Sequence, residues 1–505
     1  MNERDPLLGS TTPACPKPAG SPENAKSNRT LRKQVGPLSV CITLLLLIEF
    51  GAYLATIPLN QVLEANICQR MHPGETLAPN DPICKEKSVQ TELSMIRGWQ
   101  STFEVIPSLL VAVPYGMIAD EFGRGFVLAL ACLGITLSSG SYTLVCLFPD
   151  VLHPRLTWLS AIFTFVGGGA AVINAMVFTM TGEMGTEESR ATLFFYLGAA
   201  VLLGELCAGP AVYFLMEVNT WLPIWIGLGC FGVSTILALF IPEPPRAPVD
   251  VSEAPEEATS DIDQINKHSR LSDMVRSGIH KMGQAVAWIA KRHFHIIALL
   301  FTLLLTTFGR FAQELLAQYV TKRYEWSWSQ SSFLLSIRAF SNLVLLLVLL
   351  PLASYLLVSK WSFTGHAKDL WLARASGVLL TIGAFTIGLA VQPAVMIIGL
   401  GLMSLGSGYN LLVRSLLAAT VEKSHIGTMY TVIGTLETVG ILISGPLLAI
   451  TFRVGMEGDG GWIGLPYIIA GILLLLAAVI VCSIRVSSLE PQQADMRQDQ
   501  EGHSS

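Results

Sequence analysis

The sequence predicts an all-α membrane protein of twelve transmembrane helices arranged as two six-helix bundles. Three observations carry this. Of 505 residues, 51% are hydrophobic and only 14% are charged, against ~25% charged in soluble domains, and the mean hydropathy is +0.54. Apolar runs long enough to cross a bilayer recur along the chain. One run in the first half reappears, in register, in the second.

A span needs roughly 20 predominantly apolar residues. Six such runs precede a long polar stretch, at about 37–58, 98–119, 125–147, 156–180, 192–216 and 221–241. Six follow it, at about 294–318, 332–357, 370–391, 394–416, 426–451 and 462–484. In lipid every backbone polar group must be paired within its own segment, so these runs read as helices. The first begins near Gly36, behind a polar leader too long for the n-region of a signal peptide and without a small-residue cleavage site, so it reads as a span.

Five regions follow from this. Residues 1–36 are expected to be a disordered N-terminal tail rich in Pro, Ser and Lys. Residues 37–241 form the first bundle, 242–293 a central loop, 294–485 the second bundle and 486–505 a C-terminal tail. Within the loop, Leu271, Val275, Ile279, Met282, Val286 and Ile289 recur every three to four residues among Lys and Arg, the pattern of an amphipathic helix at a membrane surface. Basic residues crowd the leader (Arg29, Arg32, Lys33) and the loop (Arg270, Arg276, Lys291, Arg292), which places them in the cytoplasm with both chain ends.

Most of the nine cysteines sit in apolar runs and read as small buried hydrophobes. Cys68 and Cys84 share the polar loop after the first span, and are a disulfide candidate if that loop is extracytoplasmic.

The repeat pairs Ser189–Pro210 with His425–Pro446 without gaps. Thr192 falls on Thr428, Gly198 on Gly434, Gly204 on Gly440, Gly209 on Gly445 and Pro210 on Pro446. These are spans five and eleven, equivalent positions in two halves, and parallel repeats of this kind mark transporter folds. The glycines would let helices approach closely, and the prolines would let them bend.

Between spans two and three lies Gly116-Met-Ile-Ala-Asp120-Glu-Phe-Gly123-Arg124. It resembles the G-x-x-x-D-x-x-G-R loop of the major facilitator superfamily. Twelve spans, a long central loop and a G-P motif in span five extend the resemblance over about 37–485. The sequence looks most like fungal members, nearer the proton-coupled folate transporter branch than the sugar porters. The resemblance implies that Asp120 and Arg124 latch the halves in the outward-facing state, with Gly116 and Gly123 shaping the turn. The second half keeps little of this motif, with Leu352 where Gly116 would be and Lys360 echoing Arg124. The Gly167–Gly169 stretch of span four lacks the Arg of the drug:proton antiporters.

Charges inside spans cost at least ~2.5–3.5 kcal/mol on insertion scales, so they mark function or internal pairs. Glu49 and Glu437 are the proton-site candidates. Arg310 and Glu314, four apart, are expected to share a helix face and could pair. Arg310 and Arg338 are candidates for holding an anionic group, with Asn174 and Asn410 as weaker cavity residues. Glu104, Glu205 and Arg414 also lie within spans, Glu205 as a packing or interface group.

No P-loop, metal-ligand spacing or enzyme motif is visible, so no cofactor is expected, and a net charge of -5 gives no case for nucleic acid. The expected partners are a small-molecule substrate, protons and the lipid bilayer, for a monomer. The resemblance implies a secondary transporter. Export of a small organic compound leads, proton-coupled uptake of an organic anion or nutrient is the alternative, and a non-transporting sensor is a third possibility. The plasma membrane is the expected location, with the vacuolar membrane as the alternative suggested by the acidic dileucine pattern Glu3-Arg-Asp-Pro-Leu7-Leu8.

Overall fold

The computed structural model describes residues 22–74, 81–184, 187–241, 294–361, 363, 365–420, 426–458 and 462–484. The expected amphipathic loop helix, the C-terminal tail and the dileucine segment lie outside the described residues, as does the Asp120 side chain.

The first half contains α1 (Pro22–Met71), α2 (Lys87–Phe122), α3 (Arg124–Leu147), a 3-10 helix (Pro154–Phe165) leading into α4 (Gly169–Met184), α5 (Glu187–Val218) and α6 (Trp221–Leu239). The second contains α7 (Phe294–Glu314), the short α8 (Leu316–Arg323) and α9 (Trp328–Ser331), and α10 (Phe333–Val344), which runs through a π turn (Leu345–Leu349) into α11 (Leu350–Trp361). Then follow α12 (Gly365–Leu389), α13 (Pro393–Leu405), α14 (Gly408–Thr420), α15 (Ile426–Glu457) and α16 (Leu465–Ser483). Among the described residues, eleven segments are long and apolar enough to cross a membrane. Helix α2, whose stretch from Val105 to Ala119 carries no charged residue, is the twelfth span. The result is the expected all-helical fold of two six-span halves.

Three elements depart from the sequence expectation. Helix α1 starts at Pro22, well inside the stretch that composition assigns to a disordered tail. Pro22 sits at the first helical position, where its missing N–H costs nothing, and extending an existing span avoids the nucleation penalty. Span four is not one helix. Its 3-10 half ends before Gly167, Gly168 and Gly169, whose φ values of 80°, 81° and 65° only glycine adopts freely. A Cβ on Gly167 would lie 2.2 Å from the Ala131 nitrogen of α3, so close packing also demands glycine there. Span ten is likewise interrupted, by a turn at Gly406 and Ser407 between α13 and α14. Corresponding spans in the two halves are therefore both discontinuous.

Each half has its own apolar core. Leu299, Tyr319, Leu400, Tyr409, Phe452 and Tyr467 anchor the second half. Leu44, Val127, Val177 and Leu197 belong to one cluster of the first half, and Leu54, Leu63, Leu93 and Val212 to another. Trp328 of α9, fully buried, is a second-half residue packed into the first-half core.

Candidate functional site

Spans five and eleven repeat one another in contact as well as in sequence. Gly204 of α5 lies against the α1 backbone, where a Cβ would be 3.3 Å from the Phe50 nitrogen, and Gly440 of α15 lies against Thr307 of α7 at 3.0 Å. One turn further on, each helix crosses to the other half. A Cβ on Gly209 would meet Ser336 Oγ of α10 at 2.1 Å, and one on Gly445 would meet the Gly98 carbonyl of α2 at 2.3 Å. Pro210 and Pro446 have no N–H for the carbonyls four residues earlier. Those freed acceptors are taken by hydroxyls from the opposite half. Ser336 Oγ donates to the Leu206 carbonyl at 3.0 Å, and Thr102 Oγ1 to the Leu442 carbonyl at 3.1 Å. The prolines leave both helices continuous and provide docking points between the halves.

This seam closes the end of the molecule that carries the Cys68–Cys84 disulfide, whose Cα atoms are 5.2 Å apart. Above the seam, Glu64 is buried and accepts from Lys85 Nζ at 2.7 and 2.8 Å, from Trp328 Nε1 at 2.7 Å and from Gln90 Nε2. Lys322 donates to the Lys85 carbonyl, and Gln318 Nε2 to the Gln90 carbonyl at 2.9 Å. Burial pushes the Lys85 ammonium below the usual lysine range, against the pull of Glu64. At the other end, a Cβ on Gly116, Gly198 or Gly434 would find nothing within 4 Å. The halves are tight at the disulfide end and apart at the end where the central loop attaches.

Between them lies a cavity of about 1170 Å³. Its wall includes Arg97, Gln100, Glu104, Tyr142 and Glu205 from the first half, and Arg310, Glu314, Arg338, Asn410 and Arg414 from the second. Both interrupted spans reach it, through Gly169–Ala171 and through Ser407, Asn410 and Leu411. Interrupted helices in equivalent positions of two halves are a pointer to a binding site.

Arg338 joins the halves. Its Nε is 2.5 Å from Glu205 Oε1 and its Nη1 is 3.6 Å from Glu314 Oε1, while the guanidinium stacks 5.8 Å from the Tyr53 ring centre. Glu314 thus turns to Arg338. The pairing expected between Arg310 and Glu314 does not form, although four-residue spacing makes it sterically accessible. Glu205, expected to be a packing or interface group, carries the central ion pair. Glu437 is held by Arg414 Nη2 at 2.6 and 2.5 Å and stands behind the wall. Glu49 also lies off the wall, at the α1–α5 seam beside Gly204, without a hydrogen bond or ion pair among the described residues. Asn174 is exposed on α4 and does not line the cavity. Asn410 does, and accepts from Thr306 Oγ1 at 2.7 Å. In the loop between α2 and α3, Gly123 takes φ 104°, the left-handed conformation that the sharp turn requires, and Arg124 opens α3.

The seal at Glu64, Lys85, Gln90 and Trp328 was missed by sequence reasoning. It predicts that the double variant Cys68→Ser/Cys84→Ser loses about 3 kcal/mol of stability by loop-entropy reasoning. The melting temperature of the purified protein should fall, and reductant should lower that of the parent but not of the variant.

The Major Facilitator Superfamily profile matches residues 88–446. Among curated proteins, the chain is 31% identical to the MFS efflux pump atnC of Emericella nidulans, over 95% of this chain and 94% of that one. It is 30% identical to the MFS-type transporter avaK of Aspergillus versicolor, over 90% and 94%. It is 29% identical to the efflux pump ustT of Aspergillus flavus, over 90% of each. Among solved structures, a D-xylose–proton symporter superposes with a TM-score of 0.61 at 14% identity, covering 90% of this chain and 99% of that one, which shows the shared fold. With kinship of this extent running through the same helices that build the cavity and its seam, the chain belongs to the Major Facilitator Superfamily, as a multi-pass membrane transporter and not an enzyme.

Proposed function

We propose that the protein is a proton-coupled secondary transporter that exports a small organic compound by alternating access. The observation that carries this reading is the charged cavity between the halves, sealed at one end and wide at the other. Basic residues in the leader and central loop put the wide end in the cytoplasm. The disulfide supports an oxidising compartment at the sealed end. In that orientation the cavity faces inward, the state that loads cargo for export. Relatives named as efflux pumps favour the outward direction.

Protons are the favoured driving ion because carboxylates lie in and beside the cavity, and because the sequence looks similar to the proton-coupled folate transporter branch. Glu49 is the better proton-site candidate, since Glu437 is clamped by Arg414 while Glu49 has no ion pair among the described residues. Asp120 and Arg124 would latch the loop end when the cavity opens outward. The protein acts as a monomer, in the plasma membrane or alternatively the vacuolar membrane. Uptake of an organic anion is the second reading, favoured by Arg310 on the cavity wall.

Reconstituted vesicles with a trapped pH dye test this. Addition of a transported compound should drive protons opposite to it, and Glu49→Gln should abolish that linked flux while leaving expression intact. Protons moving with the compound would establish uptake instead. Normal coupled flux in Glu49→Gln would remove Glu49 from the mechanism.

A further inference from the structure

Charge pairing sorts the cavity wall. Arg338 is engaged by Glu205 and Glu314, and Arg414 by Glu437. Three charged groups of the wall have no ion pair among the described residues: Arg97 and Glu104 of α2 in the first half and Arg310 of α7 in the second. Glu104 and Arg310 are the exposed ones, and what they are exposed to is the cavity. Arg97, two turns from Glu104 towards the sealed end, makes no ion pair with it.

The surroundings of Glu104 are short of donors. Its Oε1 accepts a single hydrogen bond, from Gln100 Nε2 at 2.7 Å, and the same amide group donates to Ser160 Oγ at 2.9 Å. Gln100 lines the cavity and is 3% exposed, yet its Oε1 has no partner among the described residues. Buried polar atoms are nearly always satisfied, and exceptions call for a missing partner. A carboxylate and an amide oxygen with spare acceptor capacity suit a ligand that brings N–H donors and positive charge. Arg310 suits the opposite, a carboxylate or another oxyanion. Leu59, Val105, Leu109, Ile135 and Phe231 make much of the remaining wall apolar.

We infer that the cavity takes a zwitterionic amphiphile, with its protonated amine at Glu104 and Gln100, its carboxylate at Arg310 and its apolar body between them. This deepens the exporter reading and rests on it. It makes Glu104 and Arg310 the residues that determine substrate class. Neither role needs the proton site at Glu49, so cargo and proton are held by different carboxylates.

The purified full-length protein can be tested with 11-aminoundecanoic acid, its N-acetyl derivative and its carboxamide, whose flexible chain adapts to the distance between walls. Binding is read by calorimetry. The parent compound should bind about tenfold or more tightly than either blocked form. Glu104→Gln should erase the advantage of the free amine and keep that of the carboxylate, and Arg310→Gln should do the reverse. Glu104→Asp, which keeps the charge, should retain the amine preference. Equal binding of the three compounds, an equal loss for all three in Glu104→Gln, or no binding of any overturns the inference. Those outcomes leave the exporter reading intact if proton-linked efflux persists. Loss of efflux direction would remove the exporter reading whatever the binding series gives.

Discussion

Arg338→Met is expected to destabilise the protein by about 3–5 kcal/mol and to abolish transport. The guanidinium is buried and donates to Glu205, which is itself 3% exposed. Removing it leaves a buried carboxylate between α5 and α10 with no counter-charge beside it. Glu314 suffers less, because its carboxylate is half open to the cavity. Arg338→Lys should rescue little. One Nε donates to Glu205 while another nitrogen faces Glu314, a forked arrangement that a single ammonium on a flexible stem does not reproduce. The double variant Arg338→Met/Glu205→Gln should recover much of the melting temperature, since no charge is then stranded, and should still fail to transport. Melting of the detergent-purified protein with parallel vesicle flux separates the two effects. An Arg338→Met protein that melts with the parent would mean that the pair is not the central tie between the halves.

That pair also shows where sequence reasoning stops. The twelve spans were legible because length and apolarity are local properties of a run. The repeat was legible because glycine and proline at matched offsets survive as pattern, and the same residues prove to be the contact points. Pairing was not. Arg310 and Glu314 have the spacing of partners, but Glu314 faces Arg338 of α10 instead, a tertiary proximity that no local rule contains. Glu64, Lys85, Gln90 and Trp328 look in sequence like ordinary residues of a polar loop and span ends. They become a buried cluster only because α8 and α9 settle over the disulfide loop. The three glycines of span four were visible, but a hydropathy window has no access to φ, so a continuous helix was expected where the backbone breaks.

Gly98→Ala is expected to unseat the sealed end and reduce transport more than tenfold, although it adds one methyl group. The added carbon would lie 2.6 Å from the Gly445 carbonyl oxygen and 2.9 Å from Ala449 Cβ. The first obstacle is backbone in the middle of a continuous helix, so no rotamer change relieves it. Helices α2 and α15 must separate, and separation also stretches the Thr102 hydroxyl from the Leu442 carbonyl that Pro446 leaves free. Thr102→Val removes that hydrogen bond at nearly constant volume and should cost about 1 kcal/mol, with transport largely retained. Gly209→Ala on the mirror seam should fall between them. Its nearest obstacle is the Ser336 hydroxyl, which can rotate, though only by abandoning the Leu206 carbonyl. The readout is labelling of Ser108→Cys on the cavity wall by an impermeant maleimide applied from the disulfide side, above the labelling of the parent. Gly98→Ala should raise it strongly and Thr102→Val slightly. Unchanged labelling and flux in Gly98→Ala would show that this glycine contact does not hold the cavity shut. If the order across the three variants holds, the closed state is maintained by backbone proximity at Gly98 and Gly445, with the hydroxyl contacts adding register to a seam that glycine makes possible.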